Sequence, residues 1–479
     1  MNVFDHLSGL ARQWPERPAI IDALGTLDHR SLWGEVEALR TQLDRLQVRP
    51  GEGIGVQARN GRALVIAALA ASGCGAVVMP IHHLLKPEEF DALLERAPLC
   101  ALIDEGLGAP RPHATVRELA LLEGARLRFT RLAEPQGPLA PQIPDAAFVR
   151  FTSGTTGVAK GVVLTHRGVL ERTQAANVGL GLTCEDRVLW VLPMAYHFFA
   201  SILLYLEAGA ATVVSPDHLA DTILETATLH DATFLYITPM NVRMMAAETS
   251  GRALPPRLQR VMSVSSRLHP HTARSFFERY HVPVAQGYGI IEIGLPLMNL
   301  ADAQAHPEAV GRPLPGFEAA ILDEQFGPTI LGQTGQLALR GPGMFAGYLN
   351  PPRRCEEVLQ GGRFLTGDLA HQDEAGRIVI DGRLKTVIDV AGHKVFPEEV
   401  AAVLDQHPEV FRSRVTTRPH PQLGEVVYAE VQLRHDSVAP NLDDILSFCR
   451  RRLSSHKVPT GLEVVTDIAL TASGKVRHG

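Results

Sequence analysis

Residues 151–161, FTSGTTGVAKG, decide how the rest of the sequence is interpreted. They include three glycines, three threonines, one serine and one lysine, which disfavours both a helix interior and a packed strand. Glycines let backbone N–H groups approach anionic oxygens, and Ser153, Thr155 and Thr156 add hydroxyl donors. Lys160 adds a positive charge. The segment is therefore predicted to bind phosphate, with a surface loop that binds no ligand as the alternative.

Two common nucleotide-binding patterns do not fit the sequence. A Walker loop needs G-x-x-x-x-G-K-[S/T], but here the lysine follows Ala159 and precedes Gly161. The near-terminal stretch TASGKVRHG has Lys475 after a glycine, but Val476 follows it, and no GxGxxG pattern occurs. The predicted phosphate loop is therefore of another kind.

Size and charge limit the function classes. A chain of 479 residues is too long for one ordinary core, so two or more domains are expected. A net charge of −6 disfavours a broad basic face for nucleic acid. Five scattered cysteines without a C-x-x-C pair are typical of reduced thiols in a cytoplasmic protein. The sequence leaves the oligomeric state open.

No membrane segment is predicted. The N-terminal residues carry charge throughout and lack an apolar signal core. The apolar runs 63–81 and 188–206 are long enough to test as spans, but glycine, proline and histidine interrupt them. Each run is predicted to form two buried elements joined by a turn.

Short apolar runs alternate with amphipathic stretches. PAIIDA, GIGVQA and GAVVMPI are typical of strands, whereas residues 31–46 are predicted to form a helix capped by Ser31. This alternation predicts an α/β fold of layered sheets and helices. Residues 106–144, rich in Pro, Gly and Arg, are predicted to be a surface connection with one helix.

A domain border is predicted within residues 378–400. The pattern that follows, helix, strand and helix, suits one small α+β domain. The sequence is therefore divided into a large N-terminal domain, 1–381, and a small C-terminal domain, 382–479.

The phosphate segment resembles that of the acyl-adenylate-forming superfamily, which includes acyl- and aryl-CoA synthetases, adenylation domains of peptide synthetases and luciferase. Further stretches resemble family motifs in the same order along the chain: GAVVMPIHHLLKPEEF (75–90), LPMAYHFFAS (192–201), GYGIIEIG (287–294), RGPGMFAGYLN (340–350), FLTGDLA (364–370), DGRLKTVIDVAGHKVFPEEV (381–400) and TASGKVRHG (471–479). The resemblance implies that a carboxylate attacks ATP to give an acyl-adenylate and pyrophosphate. A thiol then displaces AMP, so the small domain is expected to be mobile and to alternate between two positions.

The resemblance assigns the ATP-binding residues. It implies that the phosphates are held by Thr152, Ser153, Gly154, Thr155, Thr156, Gly157 and Lys160. Glu292 would hold Mg²⁺, a hard cation that prefers oxygen ligands. Tyr288, followed by Gly289, would stack on adenine. Asp368 would accept hydrogen bonds from the ribose hydroxyls, and Arg383 would assist at the same sugar or at the domain joint.

The catalytic candidates are Lys475, Glu292 and His197. By resemblance, Lys475 would neutralise charge between the substrate carboxylate and the α-phosphate, although a lysine so near the end is otherwise typical of a solvated tail. Lys385 is implied to be the hinge of the small domain. The family usually has Thr before the metal-binding glutamate, whereas this chain has Ile291, which cannot donate a hydrogen bond.

The acid pocket is expected around His197, Phe198 and Ser265, with a core histidine as the alternative for His197. Its apolar segments favour an aliphatic or aromatic acid, and the lack of an acidic side chain in LPMAYHFFAS disfavours a free amino acid. The pair His82-His83 has no matching ligand set for zinc and is interpreted as surface or turn residues.

The acceptor stays open between coenzyme A and the phosphopantetheine of an acyl carrier protein. Two other functions remain possible: an adenylating enzyme with a non-thiol acceptor, such as an amine, and a weakly active binding protein of the same fold. The change to Ile291 favours the last, whereas the presence of Lys160, Glu292, Asp368 and Lys475 argues against it.

Overall fold

The computed structural model describes residues 2–97, 99–106, 115–121, 126–132, 137–151, 160–390, 393–420, 424–434, 441–470 and 476. This part of the chain forms two compact units. The first comprises residues 1–318 and 340–363, and the second comprises residues 319–339 and 364–479.

The helices are α1 (Val3–Ala11), α2 (His29–Arg45), α3 (Arg62–Gly73), α4 (Pro87–Arg96), α5 (His166–Leu180), α6 (Met194–His197), α7 (Leu203–Ala208), α8 (Ala220–Leu229), α9 (Pro239–Ala246), α10 (Pro270–Tyr280), α11 (Pro397–Leu404) and α12 (Leu442–Arg450). A π-helical turn, Phe198–Ile202, joins α6 to α7, and short 3₁₀ turns occur at Cys355–Glu357 and Ser455–Lys457.

The strands are β1 (Pro18–Asp22), β2 (Gly25–Asp28), β3 (Gly53–Ala58), β4 (Val77–His82), β5 (Ala101–Asp104), β6 (Thr115–Ala120), β7 (Arg126–Arg131), β8 (Ala146–Phe151), β9 (Gly161–Thr165), β10 (Arg187–Trp190), β11 (Ala211–Val214), β12 (Phe234–Ile237), β13 (Arg260–Ser263), β14 (Val284–Ile290), β15 (Gly294–Met298), β16 (Arg312–Pro313), β17 (Glu318–Leu322), β18 (Gly335–Arg340), β19 (Gly347–Tyr348), β20 (Arg353–Arg354), β21 (Phe364–Gln372), β22 (Ile378–Arg383), β23 (Ile388–Val390), β24 (His393–Val395), β25 (Val410–His420), β26 (Gly424–Leu433) and β27 (Gly461–Val464).

The first unit contains two mixed sheets with helices packed on them. One has the order β16-β15-β14-β13-β12-β10-β11-β1-β2, and the other has the order β20-β19-β9-β8-β4-β3-β5-β7-β6. Central pairs such as β10–β12, β12–β13 and β3–β4 are parallel, whereas β8 and β9 form an antiparallel hairpin. Parallel strands are buried on both faces, which explains their nearly continuous apolar runs.

Most elements predicted in the first 100 residues are confirmed. PAIIDA and GIGVQA contain β1 and β3, and GAVVMPI contains β4 except for its last residue, His82. The apolar run between β3 and β4 forms the buried helix α3. The run 188–206 divides into β10 and the helical segments that follow it. Among the described residues no helix is both long and apolar enough to cross a bilayer.

The predicted cap of α2 is wrong by three residues. Asp28 is the N-cap, because its backbone is extended and its Oδ1 accepts a hydrogen bond from the Ser31 N–H at 2.7 Å. Ser31 is therefore the third residue of the helix, and its backbone, not its side chain, takes part in the cap.

The helix predicted within 106–144 is also wrong for the described residues of this segment. They form the antiparallel strands β6 and β7, which extend the sheet beside β5. In RLRFTR the buried Leu127 and Phe129 alternate with arginines, which is the period of a half-buried strand. The Pro, Gly and Arg content had obscured this alternation.

The second unit contains an antiparallel sheet, β17-β18-β21-β22, and a sheet of order β24-β23-β26-β25 to which β27 adds beside β26. Helices α11 and α12 pack with the latter sheet around Val400, Leu404, Ile445 and Cys449. The unit therefore also includes strands that precede the predicted border. The predicted border at residue 382 marks the point about which the small domain would rotate. The packing of a single conformation does not locate such a point, so the division into 1–381 and 382–479 stays a prediction.

The cap of α2 gives a direct stability test. Asp28→Ala removes the acceptor for the Ser31 N–H and is expected to lower the free energy of unfolding by about 1 kcal/mol. Ser31→Ala keeps both partners of that hydrogen bond and is the matched control, with an expected change below about 0.5 kcal/mol. Urea unfolding of both variants measures the difference. A larger loss in Ser31→Ala would restore Ser31 as the cap.

Candidate active site

The phosphate segment connects the two strands of the β8–β9 hairpin. Phe151 pairs with Gly161 across the hairpin, so the strand ends hold the start and the end of the segment together. A side chain at Gly161 would meet the ring of Phe151 at 2.9 Å and Leu349 at 3.0 Å, which explains the glycine there. The predicted phosphate-binding residues of this segment lie outside the described residues: Thr152, Ser153, Gly154, Thr155, Thr156 and Gly157.

Lys160 and Glu292 lie on either side of one tyrosine. The Lys160 Nζ is 4.7 Å from the ring centroid of Tyr348, and the Tyr348 hydroxyl donates to Glu292 Oε1 at 3.0 Å. Burial raises the pKa of Glu292, although the hydrogen bonds from its own backbone N–H and from Tyr348, and the charges of Arg150 and Lys160, oppose the rise. Tyr348 lies in the motif RGPGMFAGYLN, and the sequence pattern alone does not indicate its contact with Glu292.

A buried arginine, also missed from the sequence, positions the segment of Glu292. Arg172 on α5 is 1% exposed, and burial lowers its pKa to about 10. Its NH1 donates to the Ile291 carbonyl at 2.9 Å, while its Nε, at 2.9 Å, and its NH2 donate to the Gly343 carbonyl. The Phe345 N–H donates to the Glu292 carbonyl at 2.7 Å. The segments 287–294 and 340–350 are therefore joined through backbone groups.

Tyr288 and Gly289 lie on β14, at its turn into β15. Tyr288 is half-buried and pairs with Leu297, and a side chain at Gly289 would meet the Gly294 carbonyl at 2.6 Å. The close approach of β14 and β15 is therefore enough to explain why residue 289 is a glycine, and no ligand is needed for that explanation. Adenine stacking on Tyr288 stays a prediction.

His197 lies in an aromatic cluster. Its ring meets Trp190 edge-on at 5.4 Å and Tyr236 at 6.2 Å, and these two rings stack at 5.1 Å. Phe198 is fully buried and packs on Phe148 at 6.1 Å. The cluster holds His197 half-exposed beside apolar surface, as an acid pocket requires, but the roles of both residues stay predictions.

Ser265 follows β13 with a φ of 76°, in the left-handed region that a serine rarely adopts. Its side chain is half-buried, and the last three residues of the preceding strand, Val261, Met262 and Ser263, are buried. Such a conformation persists only where the surrounding structure imposes it, and it often occurs at ligand sites. The predicted place of Ser265 in the acid pocket has this support and remains a prediction.

Within the second unit, two predicted residues contact each other. Asp368 on β21 pairs with Arg383 on β22, and Arg383 Nε donates to Asp368 Oδ1 at 2.9 Å. Asp368 is 4% exposed, and Thr366 Oγ1 accepts its backbone N–H at 3.0 Å. Arg383 thus holds the carboxylate in place. Lys385 is exposed in the turn after β22, and Lys475 lies outside the described residues.

Comparison with known proteins identifies the family. The model of the AMP-binding enzyme family matches residues 8–349, and that of the AMP-binding enzyme C-terminal domain matches residues 399–475. The chain belongs to the AMP-binding enzyme family. The predicted family, the α/β fold class and the predicted enzyme class, an AMP-forming acid–thiol ligase, are confirmed.

Similar proteins include a sulfoacetate–CoA ligase of Cupriavidus necator, 28% identical over 99% of this chain and 97% of its own. A long-chain-fatty-acid–CoA ligase of Escherichia coli O157:H7 is 31% identical over 76% of this chain and 65% of its own. The solved structure of o-succinylbenzoate CoA synthetase from Bacillus subtilis, with its acyl-adenylate, has a TM-score of 0.84. At 22% identity over 98% of this chain and 96% of its own, that likeness concerns the fold alone.

Arg172 can be tested by substitution. Arg172→Met leaves the buried carbonyls of Ile291 and Gly343 without their donor, so the free energy of unfolding should fall by about 2 kcal/mol or more. Arg167→Met, on the exposed face of the same helix, is the control and should change it by less than about 1 kcal/mol. Urea unfolding followed by circular dichroism compares them. Equal midpoints would mean that Arg172 does not hold these segments.

Proposed function

We propose that the protein activates a carboxylic acid with ATP as an acyl-adenylate and then transfers the acyl group to the thiol of coenzyme A. The observation that carries the proposal is the set of hydrogen bonds from Arg172 to the carbonyls of Ile291 and Gly343. They hold the Glu292 segment beside the β8–β9 hairpin. Lys160 and Glu292 then lie around Tyr348, at the base of the phosphate segment. This arrangement supplies one cation and one carboxylate where a metal–triphosphate complex needs both.

Glu292 fits the magnesium site implied by the family. The carboxylate accepts hydrogen bonds from the Tyr348 hydroxyl and from its own backbone N–H. A carboxylate has about four acceptor sites, so it can accept both and still bind a cation. A carboxylate oxygen is the ligand that Mg²⁺ prefers, and Mg²⁺ takes most other ligands from water and phosphates. An ion bound there would reduce the repulsion between the Glu292 carboxylate and the phosphates of ATP. Tyr348 fixes the orientation of Glu292 for this task.

The remaining roles are proposed from position. Tyr288 would contact adenine, Asp368 held by Arg383 would accept from the ribose hydroxyls, and Lys475 would stabilise the charge that develops between acid and α-phosphate. His197 would face the acid. The product adenylate would stay enclosed until the thiol arrives. We place this chemistry in the cytoplasm, where ATP, coenzyme A and reduced cysteines occur together.

The nature of the acid does not follow from the relatives. One is named for sulfoacetate, a small acid with two anionic groups, and another is named for long-chain fatty acids. The same fold therefore serves polar and apolar acids. An acyl carrier protein remains a second candidate for the acceptor, because coenzyme A and the carrier protein both present the thiol of a pantetheine group.

The first half-reaction has a direct test. The protein should exchange pyrophosphate into ATP in the presence of a suitable acid and Mg²⁺. Lys475→Ala should slow this exchange by roughly 10²-fold or more, because it removes one preorganised charge donor. Arg451→Ala, which removes an exposed cation of the same unit, is the control and should react like wild type. Equal rates in all three proteins would remove Lys475 from the mechanism.

The hinge has a separate test that compares both half-reactions. Lys385 is exposed, and the turn is held by hydrogen bonds from the N–H groups of Leu384 and Thr386. Lys385→Pro fixes φ and should hinder rotation there, so adenylate formation should survive while thioester formation falls more than 10-fold. Lys385→Ala keeps the rotation and is the control. Equal loss of both steps in the proline variant would place the hinge elsewhere.

A further inference from the structure

Arg150, near the end of β8, differs from the other enclosed arginines of the first unit. Arg62 pairs with Asp22 at 2.8 Å, Arg131 pairs with Glu52 at 2.8 Å, and Arg172 uses its N–H groups on carbonyls. Arg150 NH1 donates only to the Tyr196 carbonyl, and its Nε is shut off from solvent without a hydrogen-bond partner among the described residues. Arg150 is half-buried, and a cation partly removed from water without a carboxylate partner is costly.

No carboxylate of the described residues forms an ion pair with Arg150. Glu292 attracts it only at a distance and is already bound by Tyr348. The residues that directly follow β8, TSGTTGVA, contain no acidic side chain. Burial lowers the pKa of Arg150 to about 10, so the guanidinium is still charged near neutral pH. An anionic ligand beside Arg150 would supply the negative charge that no directly contacting carboxylate of the described residues provides.

Arg150 lies beside two side chains of mixed polarity, Tyr196 and His82. Its guanidinium lies 5.1 Å from the ring centroid of Tyr196, and the His82 ring stacks on the same tyrosine at 5.2 Å. His82 is 5% exposed, so its interpretation as a surface residue is wrong, and its Nδ1 has no partner among the described residues. Burial lowers the pKa of His82 to about 4, which keeps it neutral. Tyr196 directly precedes His197 in the chain.

Strand pairing separates Arg150 from the metal end of the site. Arg150 pairs with Val162, and Val162 pairs with Tyr348, so the three side chains share one face across adjacent strands. Two strand spacings put Arg150 about 10 Å from the strand of Tyr348, which holds Glu292. Phe148, on the same face of β8 as Arg150, packs on Phe198 and Phe199. Arg150 therefore belongs to the side of the acid pocket.

We infer that the acid carries a second anionic group, a carboxylate or a sulfonate, and that Arg150 binds it. The inference rests on the proposed function and specifies its substrate class. It narrows the expected aliphatic or aromatic acid to one with a second anionic group, because Arg150 adds a cation beside the apolar segments. The planar guanidinium suits a bidentate contact with two anionic oxygens, which Lys could not reproduce.

The test compares acids that differ only in their second group. Pyrophosphate exchange by the wild-type protein is measured with glutarate against pentanoate and with 3-sulfopropanoate against butanoate. At least one dianionic acid should exceed its partner in kcat/KM by 10-fold or more. Monocarboxylates as the better substrates throughout would overturn the inference and leave the proposed function intact. No exchange with any acid in either series or a wider panel would overturn both.

Substitution then assigns the effect to Arg150. Arg150→Met should lower kcat/KM for the preferred dianionic acid by about 10- to 100-fold, the scale of a lost hydrogen bond to a charged group. Its KM for ATP should stay within about threefold of wild type. Arg150→Lys should lower kcat/KM for this acid less than Arg150→Met does. Arg167→Met, at an exposed position of α5, is the control and should leave kcat/KM unchanged. If Arg150→Met raises the KM for ATP and leaves kcat/KM for the acid unchanged, Arg150 binds phosphate and the inference is overturned. An unchanged preference for the dianionic acid in a folded Arg150→Met variant would also overturn it.

Discussion

A single buried guanidinium fixes the geometry of the first unit's site. Arg172 reaches from α5, the helix that follows the phosphate hairpin, to the carbonyls of Ile291 and Gly343. Taking an arginine out of water is expensive, and hydrogen bonds to otherwise unpaired carbonyls offset that cost. Gly343, with a φ of 66°, permits the close approach, because a side chain there would collide with the Gly168 carbonyl. Segments that are far apart in sequence are thereby brought together around Glu292.

The charges around this join are suited to anionic substrates. Glu292 is the carboxylate at the metal end, while Lys160 and Arg150 are cations at two points of the same sheet face. A tyrosine ring lies beside each cation, Tyr348 at Lys160 and Tyr196 at Arg150, and the charges of both cations act on Glu292. ATP and an acid bring negative charge into this region, and their mutual repulsion is the main obstacle to the first chemical step. Fixed cations lower that obstacle without having to move.

The sequence predicted some features better than others, for physical reasons. Strands such as β3 and β4 were predictable because parallel strands buried on both faces require continuous apolar runs. The Asp28 cap was missed because several cap-forming residues stand close together, and the pattern does not choose between them. Arg172, Tyr348 and Arg150 were missed because their partners lie tens to hundreds of residues away. Only packing shows that an arginine is buried, and which groups it contacts.

The central claim is that a carboxylate oxygen of the acid attacks the α-phosphorus of ATP. The most direct test supplies an acid labelled with oxygen-18 in both carboxylate oxygens, together with ATP and coenzyme A, and measures the mass of the products. Attack at the α-phosphorus leaves the bridging oxygen on AMP when the thiol takes the acyl group. The account predicts one labelled oxygen in AMP and none in pyrophosphate. Unlabelled AMP, or label in inorganic phosphate, would contradict it.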